Sequence, residues 1–250
     1  MQDCPLSIMQ SGNLFMFALH NPVRWIDPTG LFAQESFILW DPDQHWYSVQ
    51  WHVDSMASAL EELFGGTVHQ IDTRGWRAED FEAWWNNLSG DIGAVVFFGH
   101  GSWDRIIFDY AQDQGRRGVN GRTMETDFGL TQHQMNNVLN LTNQNIAMLV
   151  LMSCNPGAGT LNIADNFTRF INGGTVFAPT GYLYVYSRLW FGGGFRSDSG
   201  SIATLTQLPS GMVMIGELSL SRRRSPAHFI REMYGVRFQP TNQFVVDGML

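Results

Sequence analysis

The stretch IGAVVFFGHGS at residues 92–102 decides the reading, together with its partner IAMLVLMSCN at residues 146–155. Each opens with a run of apolar, largely β-favouring residues and ends abruptly in a reactive side chain, His100 in the first and Cys154 in the second. A strand that is apolar throughout, with no alternation, is buried on both faces, which is the signature of a central strand in a parallel sheet covered by helices. In open α/β sheets the carboxyl ends of such strands build the ligand crevice. A His and a Cys leaving two central strands therefore meet on one edge, as a thiol nucleophile and its imidazole partner require.

Working outward, strands and helices alternate. SFILWD (36–41) reads as a strand, and residues 51–64 form a helix with Val53, Met56, Ala57, Leu60 and Phe64 at helical spacing. TVHQIDT (67–73) reads as a strand, AEDFEAWWNNL (78–88) as a helix with acidic residues in its first turn, and RIIFDY (105–110) as a short edge strand. LTQHQMNNVLNL (130–141) predicts a helix capped near Thr131. LNIADNFTRFI (161–171) predicts another, and TVFAPTG (175–181) a further strand. Beyond Gly181 the pattern loosens: WFGGGF is glycine-rich and RSDSGSIATLTQLPSG gives no clear element, so loops with a late helix or strand are expected. The alternation predicts an α/β fold with a mostly parallel sheet between helix layers.

Composition narrows the partners. Only 15 Lys and Arg stand against 23 Asp and Glu, giving a net charge of −8, and the one basic cluster is Arg222, Arg223 and Arg224. A protein that neutralises phosphates needs the opposite balance, so no nucleic-acid partner is expected. A mean hydropathy of −0.13, with no apolar run of bilayer length, predicts no membrane span. The amino terminus lacks a secretory n-region, so export would need another route or a larger parent chain. Cys4 and Cys154 are too few for a disulfide framework, and His45, His52, His69 and His133 show no metal-ligand spacing. No cofactor is expected. Trp84 and Trp85 read as helix core.

The His-Gly and Cys strands resemble those of the caspase-like cysteine peptidases, the superfamily of caspases, gingipains, separases and CHAT domains. Their shared pattern is an apolar strand into His-Gly, then an apolar strand into Cys. Here Cys154 follows His100 by 54 residues, against about fifty in caspases. The resemblance spans roughly residues 36 to 185. It implies a caspase-like three-layer sandwich, with His100 as general base and acid, Cys154 as nucleophile, and the Gly101 and Cys154 N–H groups as oxyanion donors. Met152-Ser153-Cys154-Asn155-Pro156 departs from the caspase Gln-Ala-Cys-x-Gly, so cleavage after Asp is not implied. Asp41 and Asp43 after the first strand are candidates to orient an imidazole or to bind a substrate, while Asp104 and Arg105 after the His-Gly turn, and Tyr182 with Gly192, Gly193 and Gly194 after the later strand, are candidate walls of a substrate pocket. The helix start near Thr160 is a candidate source of thiolate stabilisation.

The first thirty-odd residues differ in character. Asn21-Pro22 and Asp27-Pro28-Thr29-Gly30 punctuate two short aromatic strands that are too small to stand alone. Pro22, Asp27, Pro28, Gly30 and Leu31 match P-x-x-x-x-D-P-x-G-L, which resembles the closing signature of an RHS-repeat core. The division expected is therefore 1–33 as a short β remnant of an RHS core and 34–250 as the peptidase domain. The resemblance implies a cut after Leu31 in a parent chain and a bacterial polymorphic toxin delivered by a secretion system into a target-cell cytoplasm. Its partners would be a protein substrate and a cognate immunity protein. Two other readings stay open: a non-catalytic protein-binding effector of the same fold, and a Cys-His acyltransferase or other hydrolase.

Overall fold

A computed structural model of the chain describes residues 34–42, 49–114, 128–186, 194–207, 213–219 and 223–236. The RHS-like segment 1–33, Asp43, His45, Gly192, Gly193 and Arg222 lie outside the described residues.

The chain runs β1 (Gln34–Trp40), α1 (Val49–Phe64), β2 (Gly65–Asp72), α2 (Ala78–Asn86) and β3 (Asp91–Phe98). Three short strands follow, β4 (His100–Ser102), β5 (Arg105–Ile107) and β6 (Gly129–Thr131), with α3 (Tyr110–Gln114) before β6. Then come α4 (Gln132–Asn137), β7 (Asn145–Met152), α5 (Ile163–Thr168) and β8 (Thr175–Pro179). The chain continues through β9 (Leu183–Tyr186), β10 (Gly194–Ser197), β11 (Ser201–Gln207), β12 (Val213–Ser219) and α6 (Pro226–Val236). Seven strands form the main sheet in the order β12-β11-β8-β7-β3-β1-β2. The five from β8 to β2 are parallel, and β11 and β12 extend the sheet antiparallel. The expected α/β class with a mostly parallel sheet is thus observed.

The two central strands are buried on both faces, as their unbroken apolar runs require. Ala94, Val96 and Phe98 of β3 with Met148, Val150 and Met152 of β7 face α1 and α6, where Val53, Met56, Leu60, Phe229 and Met233 complete one core. Val95 and Phe97 with Leu149 and Leu151 face α2, α4 and α5, packing on Phe81, Trp85, Met135 and Phe167. Helices therefore cover both faces, in three layers. Each fully buried large apolar side chain contributes about 1.5–3 kcal/mol, so these two cores dominate the stability. Trp85 is wholly buried, as expected of helix core, and its indole N–H donates to the Thr142 carbonyl at 2.8 Å.

Three differences from the sequence expectation have physical reasons. Helices α4 and α5 are shorter than their apolar spacing suggested, and each is tightly bounded at its start. Thr131 with Gln134 and Asn162 with Asp165 form capping boxes there. Beyond α4, the Asn140 and Thr142 amides are taken by Glu82 and Asn86 of α2, which ends any helical ladder. RIIFDY does supply a strand, but β5 pairs with β4 and β6 in a separate three-stranded sheet above the main one. RSDSGSIATLTQLPSG, which gave no clear element in a region expected to hold loops and a late helix or strand, contains part of β10 and all of β11. Its apolar residues are too sparse for a pattern, and one threonine pairs across the strands instead, the Thr206 and Thr175 hydroxyls lying 2.9 Å apart across β11 and β8.

Glycine positions test the packing with opposite signs. A Cβ at Gly174, leading into β8, would lie 1.9 Å from the Ile146 carbonyl oxygen, whereas one at Gly235 in α6 meets nothing within 4 Å. Gly174→Ala should lose about 2–3 kcal/mol of unfolding free energy by overpacking against fixed backbone. Gly235→Ala should gain up to about 1 kcal/mol from helix propensity. Urea unfolding midpoints of the two variants against the parent chain check both signs.

Candidate active site

Strands β3 and β7 are parallel neighbours in register, with Phe98 opposite Met152 as the last rung. The Gly99 N–H then donates to the Met152 carbonyl at 3.1 Å, carrying the pairing one step past the strand ends. His100 and Cys154 each stand two residues beyond that rung, on the same edge of the sheet. Both are half-buried.

The two turns also touch. A Cβ on Gly101 would fall 2.7 Å from the Ser153 hydroxyl oxygen and 2.7 Å from the Arg105 carbonyl oxygen. Glycine is required at 101 because the backbone after the His presses directly on the residue before the Cys. Ser153 is 1% exposed, and its hydroxyl has no hydrogen-bond partner among the described residues.

The His100 imidazole is held by stacking on Tyr110, with ring centroids 3.7 Å apart and planes 21° from parallel. Its Nε2 is shielded from solvent. Tyr110 is fixed in turn by Asp41, whose carboxylate accepts the Tyr110 backbone N–H at 2.8 Å. Asp41 is 2% exposed and reaches the His100 ring through Tyr110, the arrangement that an imidazole-orienting role would use. Asp104 likewise is committed locally. Burial pushes its pKa up, but hydrogen bonds from Arg105 and Ser102 and the Arg105 charge outweigh burial and hold it below the usual carboxylate value. Its oxygens accept Ser102 Oγ–H at 2.5 Å and Arg105 at 2.9 and 3.0 Å, which closes the β4–β5 turn beside His100.

On the other side, Asn155 follows Cys154 in a left-handed conformation (φ 59°), which Asn tolerates better than most residues. Its N–H donates to the Gly181 carbonyl at 2.9 Å, and the Gly157 N–H donates to Pro179 at 3.0 Å. The chain thus turns sharply off β7 and is tied to the end of β8. Tyr182, next along, is 58% exposed beside Leu183, whose N–H reaches the Cys154 sulfur. The Tyr182 carbonyl accepts the Asp198 N–H at 3.0 Å. Tyr182 is therefore a rim residue near the thiol.

Burial pushes the Cys154 thiol up from its ordinary value; the Leu183 N–H pulls it back, and the Asp198 negative charge adds to the rise. The net is upward, so the resting group is a neutral thiol. The helix start near Thr160 does not offset this. That helix, α5, begins at Ile163, and its first amides are taken: Ile163 by the Trp103 carbonyl, Ala164 by the Pro156 carbonyl and Asp165 by the Asn162 side chain.

Tyr110, Leu183 and Asp198 escaped the sequence reading. They carry no motif, and only the fold brings them to the His100–Cys154 edge. His52, by contrast, is fully buried and accepts the Gly194 N–H at 3.4 Å, a packing role. Among the described residues no cluster of three or more His, Cys, Asp or Glu is arranged to hold a metal. Arg223 lies over the Tyr186 ring and Arg224 pairs with Glu232 at 3.0 Å, so both basic residues have intramolecular partners. No helix among the described residues is long and apolar enough to cross a membrane. Neither a protein-family model nor a curated protein sequence matches the chain.

The raised thiol pKa sets a pH profile. The thiolate form is disfavoured, so alkylation of Cys154 by iodoacetamide in a Cys4→Ser background should rise with pH through a midpoint above the ordinary value near 8.5. A midpoint at or below neutrality would mean a preformed thiolate–imidazolium pair instead.

Proposed function

We propose that residues 34–250 form a caspase-like cysteine endopeptidase, with Cys154 as nucleophile and His100 as general base and acid. The observation that carries this reading is the shared rung, Phe98 opposite Met152, from which both residues emerge. It is supported by the pressed contact of Gly101 on Ser153, which has no purpose in a loosely packed loop.

The chemistry follows from the neutral resting thiol. As a peptide carbonyl is seated over Cys154, a His100 ring nitrogen takes the Sγ proton while sulfur forms its bond to the carbonyl carbon. The Gly101 and Cys154 N–H groups donate to the oxygen on which negative charge develops. Collapse of the tetrahedral adduct breaks the C–N bond, and His100 returns its proton to the leaving amine. Water, deprotonated by His100, then attacks the thioester, and the acid product leaves as sulfur regains its proton. No cofactor enters these steps. Tyr110 and Asp41 act on the ring's position and not on the substrate.

The match of Pro22 to Leu31 supports placing this domain at the tip of an RHS-type polymorphic toxin, released by a cut after Leu31 in a parent chain. Delivered into a target-cell cytoplasm, it meets a reducing environment that keeps the thiol free. A cognate immunity protein protects the producing cell. One observation favours a second reading, a protein-binding effector without catalysis: the buried thiol rests above its ordinary pKa and lacks a helix terminus to activate it.

Expression of the chain in bacterial cytosol, beside Cys154→Ala, separates the two by mapping new protein N-termini. The peptidase produces termini with a shared sequence pattern that vanish in Cys154→Ala and fall at least about 10³-fold in His100→Ala. Identical maps from two equally folded proteins would favour the binding effector.

A further inference from the structure

The loops that carry His100 and Cys154 meet a second time, away from the reacting atoms. Trp103 lies three residues past His100, and Leu161 lies seven past Cys154. The Trp103 carbonyl accepts the Ile163 N–H at 2.8 Å. Gln132 of α4 then bridges the pair, its side-chain amide donating to the Trp103 carbonyl at 3.1 Å and to the Leu161 carbonyl at 2.7 Å. The Gln132 N–H donates to Asp104 at 2.9 Å, which fixes the bridge to the same turn. Two loops from different strands are thus joined through their backbones, with their side chains left over.

Those side chains are large, apolar and outside. Trp103 is 52% exposed and Leu161 is 71% exposed. Among the described residues six large hydrophobic side chains are exposed, and four of them (Trp103, Leu161, Tyr182 and Tyr184) lie on segments leaving the His100–Cys154 edge. Scattered exposure needs no explanation, but concentration on the segments that leave one sheet edge marks a recognition surface.

Leu161 adds a cost that folding does not recover. Its backbone sits at φ 58°, in the left-handed region that a branched side chain disfavours and Asn or Gly accepts readily. A core residue offsets such strain by burial, whereas Leu161 gains almost none. The capping amides beside it are served by Asn162, so the cap does not require Leu at 161.

We propose that Trp103 and Leu161 form an apolar ledge that determines specificity, seating a bulky aliphatic or aromatic side chain of an extended polypeptide substrate beside its scissile bond. This rests on the peptidase reading and names its substrate class. A substrate selected mainly by charge is the rival outcome.

The test maps Cys154-dependent N-termini in the full chain, then compares Trp103→Ala, Trp103→Phe and Leu161→Asn. A synthetic peptide carrying the favoured residue is assayed against the same peptide with alanine at that position. The ledge predicts enrichment of bulky apolar residues at one fixed position near the cut. It predicts that kcat/KM for the favoured peptide, relative to the alanine peptide, falls about ten-fold or more in Trp103→Ala and Leu161→Asn and is held by Trp103→Phe. Leu161→Asn should keep or raise Tm, because Asn suits the left-handed position, which separates lost recognition from lost folding. Cys154-dependent cleavage with no apolar enrichment, or with a pattern that these variants leave intact, overturns the ledge and leaves the peptidase standing. Absence of any Cys154-dependent terminus overturns both.

Discussion

The hydrogen bond from the Gly99 N–H to the Met152 carbonyl, 3.1 Å long, is the constraint on which the site depends. It extends the parallel pairing of β3 and β7 one step past the strands, so the residues that follow leave the sheet side by side and in phase. Everything beneath is fixed by burial on two faces, and everything above inherits that alignment. A one-residue slip between the two strands would turn every core side chain to the wrong layer, so the cores themselves hold the register. The relation of His100 to Cys154 is in this sense a consequence of packing by residues that touch neither.

Above the rung, rigidity comes from small and polar residues. Gly101 admits Ser153 where any side chain would clash, and Asp104 closes the β4–β5 turn through Ser102 and Arg105. Asp41 secures Tyr110, whose ring holds the imidazole. The same enclosure that orders the site also raises the thiol pKa, because a half-buried sulfur beside the Asp198 charge disfavours its anion. A thiol held above its ordinary pKa is protected from adventitious oxidation, and in the mechanism we propose it is activated when His100 accepts its proton.

The central sheet was legible because burial on both faces writes itself as unbroken apolar runs, and β3 and β7 are the clearest examples. The placement of His100 and Cys154 was legible for the same reason: each follows the end of such a run by two residues, on neighbouring strands. The antiparallel extension was not. β11 pairs its Thr206 hydroxyl with Thr175 across the strands and has too few apolar residues to show a period. Asp41 was a candidate to orient an imidazole or to bind a substrate since it follows β1 on the correct edge. Its hydrogen bond from the Tyr110 N–H, 69 residues away in the chain, is a contact that local reading does not reach. Tyr110, Leu183 and Asp198 are hidden for the same reason, as each reaches the site through long-range topology.

Intact mass analysis after incubation with a mixture of peptidyl acyloxymethyl ketones, randomised in sequence, probes the dyad without knowledge of the substrate. If His100 and Cys154 act together at the shared edge, the protein takes up one adduct. Peptide mapping places that adduct on Cys154, and His100→Ala abolishes it while the fold is retained. Equal labelling of the parent chain and His100→Ala, or no labelling of a folded parent chain, would contradict a catalytic pair.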